Sequence, residues 1–340
     1  MSTATRLRGA LTALSITGFA ILAGCAQPPT PEPAPPPPPP LALAPSLVEQ
    51  AAAYRAYMTK SATISPVFEN GASIAESLRT GVAYEPEQFL RGAVAYGAVA
   101  ALQSPEFVGA VRKFAADPAA RAQMSANLIA DPAYAATLPG AAEAAGLVVG
   151  AYGEEGRRLF KLGTDVKQAA YDIQRARWSR ADVENRPLRL SQAKALSATP
   201  LVGDISETAR LQDAAVGASP MSLTASPAQA PYSRMVVRSL TVAALAVLGE
   251  AGEERADLIK AVMVEPTSAS CLNMAKLNLY QCLAVSRPHY EDVFCLGQHA
   301  LMDTGQCLMK GAGVSALDAT AEPVQVATAA TTPENASAAR

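Results

Sequence analysis

The sequence predicts an all-α protein: a helical, bundle-like body with a disulfide-stapled C-terminal helical hairpin, flanked by disordered segments. Three observations predict this class. Apolar residues make up 50% of the 340 residues but aromatic residues only 5%, so alanine, the strongest helix former, must supply much of the core. Serine or aspartate directly before proline recurs along the chain and is a helix-start signal. No series of alternating strands bounded by turns is present.

Composition also limits the partners. The formal net charge is −2, and charged residues are 17% of the chain. A protein that binds nucleic acid needs a clustered cationic excess to neutralise phosphates. We therefore expect no nucleic acid partner.

The first 25 residues have the pattern of an export signal. Arg6 and Arg8 form a positive start, residues 10–22 are apolar, and Leu22-Ala23-Gly24-Cys25 follows at once. The apolar run is shorter than the ~20 residues that a membrane-spanning helix needs. An ordinary secretory signal is the alternative interpretation.

Residues 22–25 resemble the lipobox of bacterial lipoproteins at all four positions. The resemblance covers residues 1–25 only. It implies that residues 1–24 are a signal peptide removed by cleavage, and that Cys25 is acylated and holds the mature chain on membrane lipid, since multiple acyl chains anchor stably. Ala26 stands where an aspartate retains many lipoproteins at the inner membrane, so the resemblance implies the outer membrane, facing the periplasm.

Two segments are predicted not to pack. Residues 28–45 contain eleven prolines, and proline lacks the N–H that helices and sheets require. Residues 25–45 are therefore predicted to be a lipidated, semi-rigid tether, with a proline-rich ligand for a partner domain as the alternative. Residues 315–340 are mostly Ala, Thr and Pro without an aromatic residue, which predicts a disordered tail.

The helical body is predicted to occupy residues 46–215. Residues 88–103 are rich in Ala and Gly and would pack closely. Three N-cap and proline pairs then predict three short helices: Ser104-Pro105, Asp117-Pro118 and Asp131-Pro132. An apolar helix is predicted over 141–152, after Pro139-Gly140, and Thr164 is predicted to cap a separate charged helix that ends near Arg180.

The C-terminal part is predicted to begin after a loop or linker over 216–232, which is rich in Gly, Ser, Pro and Ala. Residues 233–314 would contain an apolar helix over 233–248 and the cysteine hairpin. The uncharged run 239–249 is too short to cross a bilayer. Burial within the protein is therefore expected for this helix.

Four cysteines remain once Cys25 is assigned to lipid, and an even set in an exported chain indicates disulfides. Residues 274–284 and 292–302 are predicted helices on either side of Ser286-Arg287-Pro288. Cys271 and Cys282 on one helix would lie about 16 Å apart, too far for a bridge. The pairs Cys271–Cys307 and Cys282–Cys295 share the centre of one antiparallel turn, so this nested pairing is predicted.

The alternative for these cysteines is a zinc site, because Cys295 and His299 would share one helical face. No close Cys-x-x-Cys pair accompanies them, and an oxidising compartment favours disulfides. We therefore expect neither a metal site nor a cofactor.

No complete catalytic constellation is present in the sequence. His289 is expected in an exposed turn, and His299 would lie about 15 Å from it along one helix. Ser191 and Lys194 fit the Ser-x-x-Lys pattern of penicillin-binding proteins, but the further elements of that family are missing. The neighbouring acids Glu154-Glu155 and Glu253-Glu254 would point in different directions and are expected to be helix-surface charges rather than a glycosidase dyad.

One stretch is unusually basic. Residues 154–194 hold ten Lys and Arg against six Asp and Glu, with Tyr171 and Trp178 among them. Such a helix would lie against anionic lipid or cell-wall polymer. A solvated helix face, with the tryptophan in the core, is the simpler interpretation.

Together these features predict a membrane-anchored envelope lipoprotein with a structural or binding role, whose partners are membrane lipid through Cys25 and other envelope proteins or cell-wall polymer. The alternative is an envelope hydrolase that acts on cell-wall material through acidic residues that the sequence does not identify. A cleft with converging Glu, Asp or His would favour the hydrolase. A shallow apolar or charged surface would favour binding.

Overall fold

The computed structural model describes residues 39–223 and 226–314, and this part of the chain is all-α. Its thirteen α-helices are α1 Pro45–Ser61, α2 Gly71–Val82, α3 Pro86–Ala101, α4 Pro105–Ala115, α5 Pro118–Ala130, α6 Ala141–Ile173, α7 Arg186–Ser197, α8 Ile205–Ala215, α9 Arg234–Val247, α10 Ala256–Val262, α11 Pro266–Val285, α12 His289–Cys295 and α13 Asp303–Ala312. Short 3₁₀ turns occupy Pro132–Thr137 and Glu253–Arg255. The fold class is confirmed.

The helix starts predicted from serine or aspartate before proline are confirmed. The side chains of Ser104, Asp117 and Asp131 each accept a hydrogen bond from a backbone N–H of the turn that follows, with proline at the first helical position. The third of these starts opens a 3₁₀ turn of six residues rather than an α-helix. Ser233 likewise caps α9, which matches the predicted apolar helix.

The predicted break at Thr164 is wrong. Helix α6 runs without interruption for 33 residues, about 50 Å, and Thr164 lies inside it. Its hydroxyl donates to the carbonyl oxygen of Phe160 at 2.9 Å, one turn back, as threonine does within helices. Tertiary packing of the second half of α6 outweighs the local capping signal.

Glycines at the contact between α6 and the C-terminal helices make this packing possible. The long helix α6 lies along a continuous C-terminal helix made of α12, a π-helical segment Leu296–Met302 and α13. A Cβ added at Gly163 would lie 2.5 Å from the backbone nitrogen of Met302, and one at Gly297 would lie 2.5 Å from that of Lys167. Only glycine at these positions lets the two backbones approach so closely.

The core is continuous from the N-terminal helices to the C-terminal ones. Thirteen of the sixteen residues of α3 are buried, as the Ala-rich composition predicted. Within this core, the Tyr152 hydroxyl of α6 donates to the carbonyl oxygen of Ala93 in α3 at 2.8 Å. The same hydroxyl contacts the Ser239 hydroxyl of α9 at 2.7 Å. These bonds satisfy polar groups that would otherwise be costly to bury.

The cysteine hairpin has the predicted pairing. Disulfides join Cys271 to Cys307 and Cys282 to Cys295, each with a Cα–Cα distance of 5.7 Å. Helix α11 ends at Val285, directly before the predicted break, and the next helix starts at His289. This second helix continues through the π-helical segment and Gly305 to Ala312.

The end of the predicted tether contacts the body. The amide of Ala42 donates to the carbonyl oxygen of Ala246 at 3.0 Å, and that of Ala44 to Ala251 at 2.7 Å. Leu43 and Ala44 are buried. The chain is therefore attached to the body from about residue 39, whereas Cys25, most of the tether and the 315–340 tail lie outside the described residues.

Among the residues that the structure describes, none of the helices combines the length and the apolar character needed to cross a membrane. The apolar helix α9 is buried instead: Leu240, Val242 and Leu245 are fully enclosed by neighbouring helices.

Candidate functional site

A cleft of about 450 Å³ lies between α2, residues 181–185, α7 and the start of α12. We call it the α2–α7 cleft. Its volume lies within the roughly 300–1,000 Å³ of small-molecule sites. Three helices begin at its edge, α2 at Gly71, α7 at Arg186 and α12 at His289.

One wall of the cleft is apolar. It is formed by Ile74, Leu78 and Val82 of α2, which face Ala193 and Leu196 of α7. The spacing of these residues, three to four apart on each helix, places them on one helical face. Four of these side chains are buried between the two helices, and Leu196 is the partly exposed member that a ligand would contact.

The floor is a buried ion pair. The guanidinium of Arg189 bonds to a carboxylate oxygen of Asp292, and the two side chains are only 9% and 4% exposed. Arg189 also donates to the carbonyl oxygen of Leu283, and the Ser286 hydroxyl donates to Oδ1 of Asp292 at 2.9 Å. These additional bonds fix both side chains, which offsets part of the cost of burying the charges.

Asp292 still has an acceptor to offer. Its hydrogen bonds with other described residues all go to Oδ1, while the residue lines the cleft. Burial raises the pKa of Asp292 above its usual value, although the charge of Arg189 and the bonds from Arg189 and Ser286 oppose this. The carboxyl group therefore sits where it can accept a hydrogen bond from a ligand.

The rim carries further polar groups, most of which are already paired. Asp182 forms an ion pair with Arg287 at 3.0 Å, and Arg79 with Glu76 at 2.6 Å. Glu184 also lines the cleft and is exposed.

His289 is not the exposed turn residue that the sequence suggested. It is the first residue of α12 and half-buried, and its backbone N–H donates to the carbonyl oxygen of Ala181 at 3.2 Å. Its ring lies against Gly71, so closely that a Cβ at that position would overlap it. The sequence missed this environment because residues 71, 181 and 289 are brought together only by packing.

His299 lies outside the cleft, in the π-helical segment. Its Nδ1 contacts a carboxylate oxygen of Asp303 at 2.8 Å. Burial alone would raise the pKa of Asp303, but hydrogen bonds from His299 and Gln298 outweigh it, and the pKa falls below its usual value. The two histidines are thus held in separate environments.

The other candidates from the sequence do not form reactive pairs. The Ser191 hydroxyl donates to the carbonyl oxygen of Leu188 in its own helix, and the Lys194 ammonium lies over the ring of Tyr280. Glu155 is buried between Arg55 and Arg158, whereas Glu154 is exposed. The adjacent acids therefore point in different directions, as expected, but Glu155 is a buried residue and not the helix-surface charge that the sequence predicted.

A second cavity, of about 350 Å³, lies beside this buried ion network. Arg55 of α1 contacts Glu155 of α6 and also Glu207 of α8 at 3.3 Å. Because these charges neutralise one another and join three helices, we interpret the network as a structural contact rather than a ligand site.

Within residues 39–223 and 226–314, no cluster of three or more His, Cys, Asp or Glu side chains is placed to hold a metal ion. Cys295, the one sulfur ligand that the zinc alternative required, is bonded to Cys282.

Comparisons with known proteins add no identification. No family model matches the chain, and no curated protein and no solved structure shows a significant match.

Proposed function

We propose that this protein is a lipid-anchored envelope protein that binds a small amphipathic ligand in the α2–α7 cleft. The observation that carries the proposal is a cleft of ligand size with an aliphatic wall and a floor whose charges are already neutralised internally. Such sites bury most of a ligand against apolar groups and orient it through a few polar ones. Here Asp292 Oδ2 and the His289 ring supply the polar contacts.

Anchoring at Cys25 is part of the proposal. It is supported by the lipobox resemblance and by two disulfides, which are typical of exported proteins. Helix α1 starts where the chain joins the body, and Tyr57, about 18 Å further along this helix, contacts Gly81 of α2. The cleft is therefore separated from the attachment of the tether by most of the length of α1.

Hydrolysis of cell-wall material is the second candidate. It is favoured by the direction of the shift at Asp292, since burial raises the pKa of this carboxyl group as it does for carboxyl groups that act as general acids. Two contacts argue against it: Asp292 is held by Arg189 and Ser286, and Asp182 by Arg287. A glycosidase needs a pair of carboxyl groups that both reach the substrate.

A blocking variant tests the binding proposal. Ala75 of α2 lines the cleft, so Ala75→Phe would fill part of it. We expect the fluorescent amphipathic probe N-phenyl-1-naphthylamine to bind the mature protein and to bind this variant at least roughly tenfold more weakly. Ala119→Phe is the control, because Ala119 is exposed on α5 outside the cleft.

Equal probe binding by the Ala75→Phe variant and the wild type would contradict the proposal. Release of soluble fragments from purified cell walls by the wild-type protein, and loss of that release in Asp292→Asn, would favour the hydrolase instead.

A further inference from the structure

The turn that follows α6 carries three arginines without ion-pair partners. We call residues 174–181 the arginine turn. Arg175, Arg177 and Arg180 are all exposed, and none of them takes part in an ion pair or side-chain hydrogen bond with the described residues, although the neighbouring Arg186, Arg189 and Arg287 all do. Positive charge is thus left available at this surface.

The backbone of the arginine turn is held firmly in place. Ser179 is buried, and its hydroxyl donates to the carbonyl oxygen of Ala176 at 3.0 Å. The carbonyl oxygens of Ser179 and Ala181 accept from the amides of Tyr290 and His289, both at 3.2 Å. Because the backbone is fixed, binding would require only the arginine side chains to become ordered.

An aromatic groove adjoins the turn. It has a volume of about 400 Å³ and is lined by Tyr171, Gln174, Val285, Tyr290 and Phe294, with the Cys282–Cys295 disulfide beside them. Tyr171 is 48% exposed and Val285 76%. We call this the Tyr171 groove. It is distinct from the α2–α7 cleft, and Gln174 and the bonded pair Ser179 and Tyr290 connect it directly to the arginine turn.

Charge at this surface is predominantly positive. Lys167 lies over the ring of Phe294 at 5.4 Å and adds a fourth cation at the other edge of the groove. Four carboxylates lie along this surface. Glu291 lines the groove and accepts from the Arg287 amide at 2.8 Å, and Asp172 accepts from Gln168 at 2.9 Å. Asp182 pairs with Arg287, and Glu184 is exposed. Three of these carboxylates already have partners outside the arginine turn, so the positive charge of Arg175, Arg177 and Arg180 is not neutralised by them.

The surface lies far from the attachment of the tether. At the first turn of α6, the carbonyl oxygen of Ala142 accepts a hydrogen bond from the amide of Ala228. The Thr241 hydroxyl of α9 donates to the carbonyl oxygen of Pro132, shortly before α6 begins. The tether joins at the end of α9, through Ala246. The arginine turn is at the opposite end of α6, a helix about 50 Å long, and is therefore well separated from these contacts.

The geometry points to an anionic polysaccharide of the cell wall as the partner of the arginine turn and the Tyr171 groove. Carboxylates of the polymer pair with the arginines, which bind such groups through two parallel N–H bonds. Its sugar rings stack on the exposed face of Tyr171. The inference depends on the export part of the proposed function and not on the α2–α7 cleft.

The test is co-sedimentation of the full mature protein with purified, insoluble peptidoglycan sacculi over a series of salt concentrations. We expect binding that weakens with salt, because exposed charges are screened. The triple variant Arg175→Gln/Arg177→Gln/Arg180→Gln should bind roughly tenfold or more weakly. Tyr171→Ala should weaken binding at every salt concentration.

The matched control removes three cations elsewhere, at Lys60, Arg112 and Lys113, which are exposed on α1 and α4. Replacing them with glutamine should change binding less than about twofold. Circular dichroism of both variants checks the fold, and probe binding in the cleft should be unchanged in both.

Four results would overturn the inference. Binding by the arginine-turn variant at the wild-type level would show that the arginine turn is not the binding surface. An equal loss of binding in the control variant would show the same. Retention on immobilised poly-L-glutamate without binding to sacculi would indicate an acidic peptide instead. Binding only to phosphatidylglycerol vesicles would indicate a membrane surface.

Discussion

The close contact between α6 and the C-terminal helix predicts opposite effects for two otherwise identical substitutions. Gly109 lies on the exposed face of α4, with no atom within 4 Å of an added Cβ. Gly163 lies at the interface, where the same Cβ would be 2.5 Å from the nitrogen of Met302 and 2.7 Å from the carbonyl oxygen of Gly297. Gly109→Ala and Gly163→Ala therefore add the same methyl group to open space and to backbone.

The magnitudes follow from two terms. Replacing glycine by alanine within a helix stabilises it by roughly 0.5–1 kcal/mol, because the unfolded chain loses less conformational entropy. At Gly163 the methyl group lies about 1 Å inside ordinary contact distance, and overpacking costs about 1–3 kcal/mol. Since both opposing atoms are backbone, we take the upper end of that range. The free energy of unfolding should rise by about 0.5–1 kcal/mol in Gly109→Ala and fall by about 2–2.5 kcal/mol in Gly163→Ala.

Urea unfolding of the mature protein, followed by helical circular dichroism, measures both effects. The midpoint should move up for Gly109→Ala and down for Gly163→Ala at an unchanged slope. Gly297→Ala tests the same interface from the other helix, and the Gly163→Ala/Gly297→Ala double variant should lose less stability than the sum of the two, because the helices separate only once. A Gly163→Ala variant as stable as Gly109→Ala would refute the assigned helix contact.

Three further predictions concern the cysteines and one acid. Cys25→Ser should abolish acyl labelling and move the protein from the detergent phase to the aqueous phase; unchanged partitioning would exclude lipidation there. Removing the Cys271–Cys307 bridge with alanines should cost about 4 kcal/mol and removing Cys282–Cys295 about 3 kcal/mol, from loop separations of 36 and 13 residues. The reverse order in urea unfolding would contradict the loop-entropy explanation. Because hydrogen bonds lower the pKa of Asp303 in the folded state, its contribution to stability is present above the unfolded pKa of about 4 and is lost as pH falls through the folded value. Asp303→Asn should therefore lose most stability near neutral pH and approach the wild type in acid, and an equal loss at every pH would exclude the charge as the cause.

Local signals account for much of the fold. Ser104, Asp117 and Asp131 mark their helix starts because the capping bond joins groups within one turn, which neighbouring residues suffice to specify. The disulfide pairing was also predictable. Helical spacing keeps Cys271 and Cys282 too far apart for a bridge, so that only partners on the opposite helix remain.

The candidate site could not be predicted in the same way. Arg189 and Asp292 are 103 positions apart in the chain, and each taken alone resembles an ordinary surface charge. Their burial, the position of His289 against Gly71 and the opening of a cleft between α2 and α7 depend on how distant helices pack. No periodicity within either helix contains that information.

Thr164 and Gly163 show which features the sequence determines and which depend on the tertiary structure. From the sequence alone, the composition and the caps determined an all-α chain, several helix starts and the nested cysteine pairs, because those features depend on contacts within a turn or on helical geometry. Only the tertiary structure decided that α6 continues through Thr164, because Gly163 lets the C-terminal helix pack against that stretch of α6. A capping side chain stabilises a helix start by about 1 kcal/mol. Burial of an apolar helix face along several turns stabilises the uninterrupted helix by more than that.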